Sequence, residues 1–176
     1  MNFADPKSNV LQLGVKEGMR IADLGSGVGH YALAAAAAVG AAGRVYAVDV
    51  QEDLLSHLRD SAKRANLHNI ETIWGDFEKP GGTRLKEHLA DAAILSNVLF
   101  QVEQHTGALA EVRRIVKPGG KILVIDWAGS YGNIGPTHDR IVTEHKAEEL
   151  FITAGFHKVK SFRAGGHHYG IVFTSP

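Results

Sequence analysis

The stretch Ile21-Ala-Asp-Leu-Gly-Ser-Gly-Val-Gly29, followed one helix length later by Val45-Tyr-Ala-Val-Asp49, decides how this chain folds. Arg20 to Leu24 reads as a short buried strand. Glycines at 25, 27 and 29 let the backbone turn sharply and come close to a ligand. The alanine-rich His30 to Val39 reads as a helix able to pack closely on a sheet, with Gly40 and Gly43 closing it. The second strand ends in Asp49, whose carboxylate can accept two hydrogen bonds from a ribose diol. This strand, turn, helix and strand predict a nucleoside site.

Dinucleotide-binding proteins use a similar unit, but their G-x-G-x-x-G pattern, counted from Gly25, needs a glycine where His30 stands. Asp23, just before the turn, repels a pyrophosphate and favours an ammonium. A nucleoside bearing an amino acid fits these residues better than a dinucleotide does.

Working outward, Asp5 and Pro6 mark a helix start, and Ser8 to Leu13 a short helix ended by Gly14. This makes residues 1–18 an N-terminal lid segment. Gln51 to Asn66 carries Leu54, Leu55, Leu58, Ala62 and Ala65 on one helical face. Ile70 to Trp74 reads as the third strand, with Trp74 in the core. A short helix is expected over Thr83 to Leu89, a buried parallel strand over Ala92 to Leu95, and a helix over Glu103 to Val116 that Pro118-Gly-Gly120 stops. Lys121 to Trp127 is strand five, and Ala128 to Ile141 is an irregular lid or substrate loop. Thr143 to Ala154 reads as a capped helix, and Lys158 to Arg163 with Tyr169 to Phe173 as a hairpin around Gly165-Gly166. Strand alternating with helix predicts an α/β fold: a Rossmann-like three-layer sandwich, its seven-stranded sheet mostly parallel with the last strand antiparallel.

These residues resemble the class I S-adenosylmethionine-dependent methyltransferases. Asp23-Leu-Gly-Ser-Gly-Val-Gly29 is similar to the family's first motif, Asp49 to its ribose-binding acid, and Gly75-Asp76-Phe77 to its adenine-contacting turn. Ser96-Asn97 and Lys117-Pro-Gly-Gly120 follow in order, so the resemblance covers the chain from about Met19 onward as a single domain over residues 1–176. It implies S-adenosyl-L-methionine as cofactor and S-adenosyl-L-homocysteine as product. Gly25 and Gly27 are then expected to line the methionine portion, with Asp23, Ser26, Ser96 and Asn97 also among the cofactor-binding residues. Asp49 is expected at the ribose, Val50 and Gln51 at the adenine, and Asp76, with Gly75 and Phe77, at the adenine amino group. The Ser96-Asn97-Val98-Leu99 turn resembles the quinone-pathway, small-molecule branch. It departs from the Asn/Asp-Pro-Pro-Tyr turn of amino-methylating nucleic-acid enzymes.

Composition narrows the function further. The chain has 176 residues, with 19 Lys and Arg against 19 Asp and Glu, which carries no strong nucleic-acid signature. It has no cysteine, so it has no disulfide framework, thiolate metal site or cysteine nucleophile. Met-Asn-Phe-Ala-Asp-Pro lacks the basic start and apolar run of a signal peptide, and Ala32 to Val39 is too short to span a bilayer. The expectation is a cytoplasmic protein without a membrane span, acting on a small-molecule acceptor. A chain this close to the bare fold also leaves room for a homo-oligomer or a partner that completes the pocket, or for a cofactor-binding module without turnover of its own.

Methyl transfer from a sulfonium needs alignment above all, and a general base only where the acceptor carries a proton that must leave. The candidates are His30, directly after the glycine turn, and His167 beside the final hairpin turn, with Asp126 at the end of strand five to orient a partner. His138, His145 and His168 complete the set considered. Adjacent histidines in a strand point to opposite sides, so at most one of His167 and His168 faces a given centre, and no metal site is assigned.

Overall fold

Strands that are apolar on both faces can be buried only between two layers of helices. The computed structural model, which describes residues 4–132 and 134–176, has that arrangement. Its strands are β1 (Arg20–Leu24), β2 (Arg44–Asp49), β3 (Ile70–Trp74), β4 (Ala90–Ser96), β5 (Val116–Trp127), β6 (His157–Arg163) and β7 (His168–Thr174). They form one seven-stranded sheet in the order β3-β2-β1-β4-β5-β7-β6. Strands β3 to β5 across that order pair in parallel, and β7 runs antiparallel to both of its neighbours. The helices are α1 (Pro6–Leu11), α2 (His30–Val39), α3 (Glu52–Arg64), α4 (His105–Ile115) and α5 (Glu144–Thr153).

Alternation along the central strands assigns each side chain to a layer. Ala22 and Leu24 of β1, Ala93 and Leu95 of β4, and Ile122 and Val124 of β5 pack with Leu109, Val112 and Phe151 of α4 and α5. Their sequence neighbours Ile21, Ala92, Ile94, Leu123 and Ile125 pack on the opposite face, against α1, α2 and Leu58 of α3. Fully burying one such Leu, Ile or Phe contributes roughly 1.5–3 kcal/mol. The strand order reverses between β1 and β4, and the crevice beyond their carboxyl ends is where open α/β sheets bind ligands. Among the described residues no helix is long and apolar enough to cross a membrane.

The helix boundaries follow local chemistry. Asp5 caps α1 by accepting from the Lys7 and Ser8 backbone amides, so the helix begins at Pro6, two residues before the expected start. Thr143 caps α5 in the same way through the Lys146 amide. Gly40, at φ 67°, ends α2.

Three expectations are corrected. Residues 83–89 form no helix: Arg84 and His88 take left-handed φ values of 59° and 51°, and the Thr83 side chain and backbone are both committed to Glu111. The fifth strand starts at Val116, because Val116 already pairs with Ala90 and the Lys117-Pro-Gly-Gly120 segment is absorbed as a register irregularity before Lys121 meets Ala92. Trp74 is not core. Because β3 is an edge strand, its indole is 56% exposed and donates to the Val50 carbonyl at 2.9 Å. The described residues of 128–141 are irregular as expected, apart from a 3-10 turn at His138–Arg140 and a bridge between Tyr131 and Ile134. The expected lid positions 1–3 and 133 lie outside the described residues.

One buried carboxylate holds the loop that follows β3. Glu111 of α4 is 2% exposed and accepts from the Gly81 and Thr83 amides, the Thr83 hydroxyl and the Arg114 guanidinium, the last at 2.6 Å. Burial alone would raise its carboxyl, but the bonds from Arg114, Thr83 and Gly81 outweigh that and hold it down to about 2. Because the folded value is depressed, this stabilisation is fully present above the unfolded value of 4.5 and is lost as pH falls from there towards 2. Glu111→Gln should cost about 3 kcal/mol in urea denaturation at neutral pH, the scale for breaking a buried ion pair. It should also flatten the acid limb of the stability curve; a loss under about 0.5 kcal/mol, the range of a neutral surface change, contradicts this role.

Candidate functional site

The site begins where β1 ends. The Gly25 and Ser26 amides both donate to the Val48 carbonyl, at 2.9 and 3.1 Å, which ties the glycine turn to the end of β2. One residue further along β2, the Asp49 carboxylate accepts from the Gly27 amide at 2.7 Å and from the Gln51 amide at 2.9 Å. Side chains are excluded here for two different reasons. A Cβ on Gly25, at φ 70°, would sit 2.5 Å from the Val98 methyl, whereas a Cβ on Gly27, at φ 54°, would meet no protein atom within 4 Å. Gly27 thus leaves space open where backbone faces the crevice.

Two adjoining clefts meet at this turn, sharing Gly25, Gly27 and Gln101. The smaller, about 230 Å³, is bordered by Asp49, Val50, Gln51, Gly75, Asp76 and Phe77. The larger, about 630 Å³, reaches Asp23, Ser26, His30, Ser96 and Asn97. All twelve residues expected around a cofactor therefore border one continuous space, although they come from four separate strand ends.

Their hydrogen bonding separates them into two groups. Asp76 is already engaged, accepting from the Glu78 amide at 3.0 Å and pairing with Lys79 at 3.0 Å. By contrast Asp23 Oδ2, Ser26 Oγ and Asn97 Oδ1 are buried without any partner, and all three residues line the larger cleft. Asn97 also holds a left-handed φ of 55°, which asparagine tolerates better than most side chains. Burial pushes the Asp23 carboxyl up to about 7; the Ala32 amide opposes this and the Asp49 charge adds to it.

The three proton-transfer candidates are placed differently. His30 is exposed at the first residue of α2 and lines the larger cleft. Asp126 is 1% exposed and does not border the cleft; it accepts from the Leu99 amide at 2.9 Å and the Trp127 amide at 2.8 Å, holding the Asn97–Gln101 turn against the end of β5. His167 also stands off the cleft, its ring 4.2 Å from that of Tyr131. His168 takes the cleft wall instead, beside Trp127. Tyr31, Gln101 and Ile134 complete the wall, and sequence reasoning passed over them. Tyr31 follows His30 as an aromatic residue in an otherwise small-residue helix, and its hydroxyl accepts from Asn9 of α1 at 3.0 Å. That bond seats the N-terminal segment over the cleft, where Ala4 and Pro6 join the lining. Among the described residues no cluster of His, Asp and Glu could hold a metal ion.

Asp23 makes a distinctive stability signature. Its folded value of about 7 lies above the ordinary 3.8, so the folded state holds a proton that the unfolded state has released, and stability falls as pH rises between those values. Asp23→Asn should be more stable than wild type at pH 8 and should lose most of that advantage at pH 4, as read by urea denaturation. An equal effect at both pH values contradicts an unpaired buried carboxyl.

A family model described as a methyltransferase domain matches residues 22–124. The demethylmenaquinone methyltransferase of Staphylococcus aureus is 30% identical over 115 residues, 65% of this chain and 45% of that protein. The ubiquinone/menaquinone biosynthesis C-methyltransferase of Cupriavidus taiwanensis is 28% identical over 130 residues, 74% and 52% of the two chains. The chain thus spans about half the length of these curated relatives. A SAM-dependent methyltransferase from Aquifex aeolicus superposes with a TM-score of 0.89 at 25% identity, over 98% of this chain and 90% of that one. The [4+2]-cyclase SpnF shares the fold at a TM-score of 0.81 and 17% identity, over 97% and 79%, so the fold alone does not dictate the reaction. With the family model matching residues 22–124 of 176, a span that includes the glycine turn and the whole lining of the smaller cleft, the chain belongs to the methyltransferase domain family.

Proposed function

We propose that this protein is an S-adenosylmethionine-dependent methyltransferase acting on a small-molecule acceptor of the quinone head-group kind. The observation that carries the reading is the convergence of three unpartnered buried polar atoms, on Asp23, Ser26 and Asn97, in a cleft that opens past Gly27 onto Asp49. That donor set fits the cofactor. Asp23 suits the ammonium of the methionine portion, and a charge-assisted hydrogen bond there would offset the burial cost that the carboxyl otherwise carries. The two Asp49 oxygens each keep a free lone pair beside their amide bonds, which suits the ribose hydroxyls. Val50, Gln51, Gly75 and Phe77 border the remaining, smaller cleft and suit the adenine. Asp76 borders it too, with its carboxylate already paired to Lys79.

When bound, S-adenosylmethionine supplies an activated methyl group, so the chain's remaining task is to align the acceptor and exclude water. Trp127, Ile134, Val28 and Pro6 give the larger cleft an apolar wall suited to a flat ring. His30 is placed to take a proton at the cleft mouth, whereas Asp126 acts as a positioning residue through the Leu99 amide. The names of the relatives support quinone-type acceptors; neutral overall charge disfavours nucleic acid.

Incubation with methyl-tritiated S-adenosylmethionine and a panel of reduced quinones should place label in the organic extract. Asn97→Gly, which keeps the left-handed backbone but removes the carboxamide, should lower kcat/KM about tenfold, roughly 1.4 kcal/mol. Label found on RNA instead would overturn the acceptor class. Cofactor binding without turnover on any acceptor would favour a binding module.

A further inference from the structure

Of the ten histidines, His168 differs in kind. It opens β7 opposite Trp127 in the ladder and is 5% exposed. Its imidazole lies tilted on the Trp127 indole with ring centroids 4.4 Å apart, and it walls the larger cleft. Neither of its ring nitrogens has a hydrogen-bond partner. Buried polar groups in native proteins are nearly always paired, so an imidazole with both nitrogens unpartnered, on a side chain that lines a cleft, is a candidate anchor for a ligand group.

The surroundings say what group that is. Burial, and then the neighbouring His167, lower the His168 pKa below the ordinary value, so the ring is neutral near pH 7, with one nitrogen donating and the other accepting. No acid holds it as an imidazolium: Asp126, on the facing strand, spends its carboxylate on the Leu99 and Trp127 amides. The other acids of the two clefts that His168 borders are Asp23, assigned above to the cofactor's ammonium, and Glu144 in the neighbouring cleft, and neither bonds the imidazole. The adjoining surfaces, Trp127 and Ile134, are apolar. A hydroxyl on a flat apolar ring satisfies a neutral imidazole in either tautomer, because it can both give and take a hydrogen bond, while the ring covers the indole.

Resting on the methyltransferase reading above, we infer that His168 anchors the methyl acceptor, a free imidazole nitrogen taking a hydrogen bond from a hydroxyl on a flat apolar ring lying against Trp127. The same side chain also borders a second cleft, of about 470 Å³, beside Tyr131, Phe162 and Tyr169.

The test begins with S-adenosylhomocysteine binding by wild type, His168→Phe and His168→Gln. All three should agree within about twofold, since the inference places His168 at the acceptor. Protein loaded with that product and labelled with nitrogen-15 at histidine is then titrated with 2-naphthol and with 2-methoxynaphthalene, which lacks the hydroxyl proton. The His168 ring nitrogens should shift with 2-naphthol while those of exposed His57 and His68 stay fixed. Wild type should prefer 2-naphthol by about threefold to tenfold, the worth of one neutral hydrogen bond. His168→Phe, which keeps the ring on Trp127, should lose the preference, and His168→Gln should recover part of it. The inference is overturned by 2-naphthol binding that leaves the His168 resonances in place, by an undiminished preference in His168→Phe, or by no saturable binding of 2-naphthol. Failure of wild type to bind S-adenosylhomocysteine would instead sink the cofactor reading; the titration on free protein would then still require the His168 response.

Discussion

The Asp49 carboxylate is the constraint on which the site depends. By accepting from the Gly27 and Gln51 amides it fixes the glycine turn of β1 relative to the start of α3. Both segments border the smaller cleft. A carboxylate accepting backbone amides is a strong acceptor in a fixed geometry, and it still has lone pairs for a ligand. Glycine at 25 is then required because the turn passes so close to Val98, whereas at 27 the left-handed φ of 54° favours glycine and the space beside it is open.

Two buried carboxyls near this crevice show how placement separates structure from binding. Burial pushes both Asp23 and Asp126 up to about 7. Asp126 has its compensation within the protein, in the Leu99 and Trp127 amides, and so welds a turn to a strand end. Asp23 Oδ2 has none, and the residue lines the larger cleft. A buried acid without a countercharge at the switch point of the sheet is a cost to folding; on the proposed reading a bound ammonium would relieve it, so that the carboxyl that weakens the free protein would strengthen the complex.

Much of this was legible in the sequence because the informative features are local. The glycine turn, Asp49 and the alternation that sends Ala22 and Leu24 to one layer and Ile21 to the other are all set by neighbours within a few residues. What escaped depends on contacts distant in sequence. Residues 83–89 carry helical spacing, but Glu111, 28 positions after Thr83, captures that side chain and its backbone. Trp74 has the composition of core, yet the strand order leaves β3 at the edge. The choice between His167 and His168 turns on a single residue of register: β7 starts at His168 opposite Trp127, and that parity turns one imidazole to the cleft and the other to Tyr131.

The central claim is that the crevice reads a nucleoside and an ammonium together, the second through Asp23. Calorimetric titration of S-adenosylhomocysteine and 5′-methylthioadenosine, which lacks the amino-acid portion, into wild type and Asp23→Asn tests it most directly. The account predicts that wild type binds S-adenosylhomocysteine at least about tenfold more tightly, the scale of a charge-assisted hydrogen bond, and that Asp23→Asn erases most of that difference while still binding the thioadenosine. Equal affinities in wild type, or a preference for a nicotinamide dinucleotide over both, would contradict it.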